Sequence, residues 1–407
     1  MFRFLIDNAR WLAAGFLLTF MSGFGQTFFI SLFSGEIRGE LGLSHGGFGT
    51  VYGAATLASA ISIIWVGRLA DIRNPAIAGV MVSCGLAAAA LVMSVAAGPV
   101  MLFLAIYGLR LFGQGMMTHT SQTLIGRWFV ATRGRALAIS GFGFPASEAT
   151  FPLIVVALLA IFGWREIWMI VAGVLIIVSA PGLWWLLREN RTPQRTRTAG
   201  GARKAPEQRQ WTRTDVLRDP VFYLLLPAFL APSFIGTGVF FHQVHLTETK
   251  GWELAWFAGF FPVYAASSVV TSLVAGFLVD KWSARHLLPA VLLPQAAGAA
   301  LLASTLNPWV VPLTMTAFGM TAGMMANVSG ALWPEIYGVR HLGAIRAMAI
   351  SAMVLSTAAA PFVLGVLIDA GIAFDLQLYG MAAYMLAATV LLVAVSRNLL
   401  ARDLSDA

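Results

Sequence analysis

The sequence predicts an all-α membrane protein with twelve transmembrane helices in two six-helix bundles, and three observations carry that reading. Of 407 residues, 58% are hydrophobic and 11% charged, against roughly 45–50% and 25% in a soluble domain. The apolar residues fall into long runs rather than alternating short ones. Finally, Lys and Arg collect in every second connection between those runs. A chain this apolar is neither disordered nor a soluble enzyme, and forty glycines argue against a coiled coil.

Runs bounded by charge, Gly or Pro lie at 11–33, 47–66, 76–97, 100–124, 136–162, 165–187, 221–243, 254–279, 287–306, 309–333, 343–369 and 376–395. Each approaches or exceeds the roughly 20 residues that an α-helical span needs, and all are too long for barrel strands. The first run is too long for a signal-peptide core and no small-residue cleavage pattern follows it, so it is expected to stay as helix 1.

With the N-terminus placed inside, the inner segments hold 22 of the 26 Lys/Arg, and the outer loops only Arg38, Arg165 and Lys250. The last one, Arg110, lies within the fourth run. Such asymmetry predicts cytoplasmic termini, with the chain in the cell (inner) membrane. It also accounts for the net charge of +8 without a nucleic-acid partner. Cys84, the single cysteine, lies in an apolar run and is expected to be a buried, inert thiol, with no disulfide or cysteine-based metal site.

The only long polar stretch, 188–220, has nine Lys/Arg, four acids and three prolines and reads as a cytoplasmic linker between an N-terminal bundle, 1–187, and a C-terminal bundle, 221–407. The halves look like repeats. Gly67-Arg-Leu-Ala-Asp71 returns as Gly276-Phe-Leu-Val-Asp280 at an offset of 209, and the basic loop at Arg133 returns at Arg340 at an offset of 207.

On these residues the chain resembles the major facilitator superfamily. Gly67 to Asp71 matches its Gly-x-Leu-x-Asp signature after helix 2, a weaker copy follows helix 8, and Arg110 with Gln114-Gly115 resembles its helix-4 signature. The resemblance implies a secondary transporter that works by alternating access, with gating groups at Gly67, Asp71, Asp280 and Arg133. Physically, glycine lets two helices approach and the acid can meet an arginine or a helix N-terminus. After Asp71 the first copy departs, with Ile72, Asn74 and Pro75 in place of basic and glycine residues, whereas the second keeps Lys281 and Arg285.

Arg127-Trp128-Phe129, Arg133-Gly134-Arg135, Gly141, Gly143 and Gly163-Trp164-Arg165 resemble the monocarboxylate and oxalate/formate branches, which implies a small organic anion as substrate and symport with protons. The acidic residue expected in helix 1 there is replaced by Ser22-Gly23-Phe24-Gly25-Gln26, and helix 8 lacks an arginine at depth.

Charge inside the bilayer is expensive and is retained for pairing or transport. Arg110, about ten residues into helix 4, and Glu148, about twelve into antiparallel helix 5, both fall near the midplane and are close enough in depth to pair. Gln114, Thr118, Ser121 and Gln122 continue a polar stripe from Arg110. The functional reading is Arg110 as anion or coupling group and Glu148 as proton carrier; the alternative is a static pair.

Gln26 on helix 1, with Thr19 and Ser22, and Asn327 on helix 10 are further substrate candidates, as are His242 and Ser329. Lone polar residues more often make interhelical hydrogen bonds. His242 and His245 are candidates for pH sensing. Met315, Met320, Met324 and Met325 suit either core packing or a lipophilic cavity. No Walker-type loop occurs, so no nucleotide cofactor is expected and transport draws on gradients. Efflux of amphipathic compounds by proton antiport is the second reading. A monomer suffices, since two six-helix repeats contain a full path.

Overall fold

The computed structural model describes residues 2–68, 74–129, 132–189 and 210–405. Among the described residues, eleven helices are long and apolar enough to span a membrane: α1 (Arg3–Gly25), α2 (His45–Val66), α3 (Pro75–Ser94), α4 (Pro99–Trp128), α5 (Arg133–Leu159), α6 (Trp164–Leu187), α7 (Pro220–Phe241), α8 (Leu254–Trp282), α9 (Ala284–Ser304), α11 (Leu342–Asp369) and α12 (Phe374–Leu399). The twelfth, α10 (Val310–Tyr337), is 28 residues long but less apolar because of its Thr, Gly, Ser and Asn residues. No strand occurs among the described residues.

Side chains such as Ile177 (74% exposed), Phe277 (77%) and Val390 (71%) point out of the protein, and Cys84, expected to be buried, is exposed too because it falls on the outer face of α3. In water they would drive aggregation, whereas on spanning helices they meet lipid.

The chain divides into two compact units. The first is Met1–Gly200 together with Phe240–His245, and the second is Gly201–Val239 with Leu246–Ala407. In the first, α1 packs on α4, α5 and α6, α2 on α4, and α3 on α4 and α6; in the second, α8 packs on α10, and α9 on α10 and α12. The pairings α2/α4, α3/α4 and α3/α6 thus recur as α8/α10, α9/α10 and α9/α12.

The α8/α10 seam shows how sequence sets distance. Gly319 and Gly323 stand one turn apart on α10, and a Cβ on either would lie 2.4 Å from the Tyr264 carbonyl oxygen or 2.3 Å from that of Ser268. Glycine is what allows backbone-to-backbone contact there.

Each unit also has an ionic clamp tying three helix ends. In the first, Arg165 at the start of α6 pairs with Glu40 at 2.8 Å and donates to the carbonyls of Ser94 and Ala96 beyond α3, while Trp164 donates to Glu40. In the second, Lys250 pairs with Asp375 at 2.8 Å, at the start of α12, and donates to the carbonyls of Ala303 and Thr305 at the end of α9. Glu40 and Lys250 stand 210 residues apart, as do Arg165 and Asp375. The clamps occupy equivalent places with their charges exchanged. In both, the cation sits on helix C-terminal carbonyls, where the helix dipole favours it.

Several stretches depart from regular α-helix, among them a π segment in α6, Leu175–Ser179, and two departures meet in the first unit. The run expected as one span at 11–33 breaks: α-helix holds to Met21, Ser22–Gly25 forms a 3₁₀ turn, and Gln26 is extended (φ −89°, ψ 157°) before the chain resumes at Thr27. On α4, Leu109–Met117 is wound as π-helix. Such turns are rare and concentrate at functional positions.

Candidate functional site

The break in α1 and the π segment of α4 face each other. A Cβ on Gly25 would lie 2.2 Å from the Leu109 carbonyl oxygen and 2.7 Å from the Gly113 Cα, and one on Gly113 would lie 2.6 Å from the Gly25 Cα. Gly23, two residues earlier, faces α5 instead: its Cβ would lie 2.6 Å from Ser147 Oγ, and Phe24 stacks on Phe151 with centroids 4.3 Å apart. The Gly23-Phe24-Gly25 turn is therefore wedged between the helices that carry Arg110 and Glu148.

Unwinding leaves helix carbonyls without their usual partners. The Gly25 carbonyl accepts from Arg110 Nη1 at 3.1 Å, and the guanidinium lies over the Tyr52 ring at 5.4 Å. Tyr52 in turn shares a 2.7 Å hydrogen bond with Thr27, just past the break. Arg110 is 2% exposed and its Nε has no partner. Gln26 is buried, and Gln114, one turn on from Arg110, is half-buried.

Glu148 is 8% exposed, on the turn of α5 that carries Ser147 and Phe151. It makes no hydrogen bond or ion pair with the described residues, so the direct Arg110–Glu148 pair expected from their depths is not formed. The physical reason is competition: the released Gly25 carbonyl and the Tyr52 face take the guanidinium.

Other predicted residues serve as interhelical fasteners. Asn327 Nδ2 donates to the carbonyl and hydroxyl oxygens of Ser272, both at 2.8 Å, joining α10 to α8. Thr19 donates to the Ser140 carbonyl at 2.5 Å, and Arg133 Nε to that of Gly126 at 3.0 Å.

Of the gating candidates, Asp71 lies outside the described residues. Gly67 caps α2, and Asp280 near the end of α8 makes no hydrogen bond or ion pair with the described residues. The contact beside it joins Arg285 to Glu335, a residue the sequence does not single out: Arg285 Nη2 donates to the Glu335 backbone carbonyl at 2.6 Å, and the Glu335 carboxylate accepts from Ala284 N–H at 3.1 Å.

At the start of α2 a histidine cluster gathers within the first unit. The His45 ring lies 4.4 Å from that of His245 and 6.1 Å from that of His242, and Arg38 Nη1 lies 3.0 Å from His45 Nε2. Burial, and then the Arg38 charge, hold the proton affinity of His245 below the usual value of 6.5. Protonation therefore opposes packing: the packed segment is favoured above about pH 6.5 and weakens as pH falls below it. Hydrogen exchange at 240–245 is expected to accelerate between pH 7.5 and 5.5 in the wild type and much less in His245→Gln; equal acceleration in both would shift the effect to His45 or His242.

A largely apolar cavity with one arginine and two serines in its lining, not evident from the sequence, lies in the second unit. It measures about 300 Å³ and is lined by Phe229 and Ser233 of α7, Met325, Ser329 and Trp333 of α10, and Arg346 of α11. Arg346, counted among the inner cations, lies near the start of the helix Leu342–Asp369, as the run 343–369 implies.

Among the described residues, twelve long helices in two units with repeated pairings, each with polar or charged groups within its apolar interior, define a polytopic membrane protein. The model of the Major Facilitator Superfamily matches residues 15–361, and the chain belongs to that family. Among solved structures it is similar to a bacterial homolog of the human lysosomal transporter Spinster in an inward-facing, unoccupied conformation, at 16% identity and a TM-score of 0.71 over 97% of this chain and 98% of that one. It is also similar to the nucleoside transporter NupG, at 13% identity and a TM-score of 0.66 over 97% and 98% of the two chains. A search of curated proteins gives no match. At these identities the structures establish a shared fold.

Proposed function

We propose that this transporter moves a small organic anion of the monocarboxylate class by alternating access, coupled to protons, as a monomer in the inner membrane with both termini cytoplasmic. The observation that carries the reading is Glu148, a carboxyl group buried at depth with no hydrogen bond or ion pair among the described residues, on the same wedge as the buried cation Arg110. An uncompensated acid in a membrane interior is costly, and proton carriage explains its retention. Arg110 holds the α1 break in shape and supplies the positive field; Gln26 and Gln114 offer polar contacts beside it.

The test is uptake of labelled monocarboxylates and dicarboxylates into proteoliposomes with and without an inward proton gradient. Gradient-stimulated uptake lost in Arg110→Gln is expected. Glu148→Gln is expected to abolish proton-driven accumulation while leaving exchange, and accumulation retained in that variant would remove Glu148 from coupling.

Efflux of amphipathic compounds is the second reading, favoured by one observation. A cavity of about 610 Å³ lies between α7, α11 and α12, walled by residues such as Phe234, Ile235, Leu355, Val363 and Met381. Its lining suits lipophilic cargo. A resistance screen in cells without background pumps separates the two.

A further inference from the structure

We infer that Arg346 receives the anionic end of the substrate, and that the substrate is a carboxylate with an apolar, preferentially aromatic body. The inference rests on the anion reading above and adds the place and the chemical class.

Arg110 and Arg346 differ in how readily a ligand reaches them. Arg110 is 2% exposed: Nη1 is bonded to the Gly25 carbonyl, the guanidinium lies over the Tyr52 face, and the unpartnered Nε is sealed from solvent. Reaching it requires the α1 break to open. Arg346 is half-buried and borders a cavity. Its one hydrogen bond with the described residues goes from Nη2 to the Gly330 carbonyl, and it has no ion pair with them. A guanidinium carries five N–H donors in a fork that matches a carboxylate, so Nε and Nη1 remain available.

The rest of the cavity completes a receptor for an amphiphilic anion. Ser233 makes no hydrogen bond with the described residues, and Ser329 makes only a 3.5 Å contact to the Ala326 carbonyl, so two hydroxyls remain to assist the guanidinium. The lining also includes aromatic rings: Trp333 lies 5.0 Å from Phe229 and is stacked on Tyr337 at 6.2 Å. Trp333 is 2% exposed and held by these neighbours, so it forms a rigid floor that borders the cavity at its edge. Met325 adds an adaptable apolar contact. At about 300 Å³ the space is at the low end of small-molecule sites, which run to about 1,000 Å³, and fits a single-ring acid better than a drug-sized ligand.

The experiment uses the full-length protein with labelled benzoate as probe and benzamide and acetate as comparators. Binding to purified protein and uptake into proteoliposomes are measured for wild type, Arg346→Gln, Arg346→Lys, Trp333→Leu and Arg110→Gln. The expected result is benzoate preferred over acetate and benzamide, with Kd and KM raised at least about tenfold in Arg346→Gln and partly restored in Arg346→Lys. Trp333→Leu is expected to narrow the preference for benzoate over acetate.

Ser233→Cys in a Cys84→Ser background supplies a readout with Arg346 intact, should its variants misfold: benzoate is expected to slow modification by N-ethylmaleimide. Unchanged benzoate affinity and KM in a folded Arg346→Gln, with uptake lost in Arg110→Gln, would overturn the inference and leave the anion reading standing. Absence of both carboxylate binding and cysteine protection in proteins that retain Arg346 would overturn both.

Discussion

Gly25→Ala is expected to leave no folded first unit. Overpacking a core by a methyl group ordinarily costs about 1–3 kcal/mol because side chains shift aside. Here the new carbon would lie 2.2 Å from one backbone oxygen and 2.7 Å from a Cα, and neither moves without displacing α4. The displaced stretch is the π segment that carries Arg110, so the loss would also strip the Gly25 carbonyl of its donor.

Size-exclusion profiles of a fluorescent fusion should show aggregation or absence for Gly25→Ala and Gly113→Ala. Gly173→Ala on α6 meets nothing within 4 Å and should run as wild type, since Ala is the better helix former. A monodisperse Gly25→Ala protein would mean that the two helices do not approach this closely.

The second large effect falls on the ionic clamps, and it is unequal. The Lys250 side chain is 2% exposed, so Asp375→Asn leaves a buried ammonium with carbonyl partners only. Breaking a fully buried pair costs about 3–5 kcal/mol; because Asp375 is itself 42% exposed, about 2–3 kcal/mol is expected here. The Glu40 and Arg165 side chains are 48% and 29% exposed, and Glu40→Gln should barely move the melting temperature. Thermal unfolding of the two variants side by side checks this, and equal shifts would contradict the burial argument.

Much of the fold is legible in the sequence because hydropathy and length dictate spans directly, and the positive-charge count pairs them into halves. The wedge is not. Hydropathy is blind to a 3₁₀ turn inside an apolar run; the only local signal is Gly23-Phe24-Gly25, and its meaning comes from Gly113 on another helix. Arg110 and Glu148 stand out because charge within an apolar run is conspicuous, yet depth alone could not say that a backbone carbonyl would take the guanidinium. Arg346 escaped for the opposite reason: near the start of its helix it reads as one more inner cation. Glu335 was hidden in the same way beside the Asp280 motif, at the polar end of α10 where an acid looks ordinary.

A duplicated chain carries a hazard of its own, since each half offers the other a set of helices built to the same plan. Were the loop bearing Lys250 to enter the first half during synthesis, it would find Arg165 in the place where it needs Asp375; Glu40 entering the second half would find Asp375 instead of Arg165. Both mistaken docks set like charges against each other, where like-charge contacts cost rather than stabilise. The reversal of sign between the repeats lets each half recognise its own loop while the shared architecture is kept.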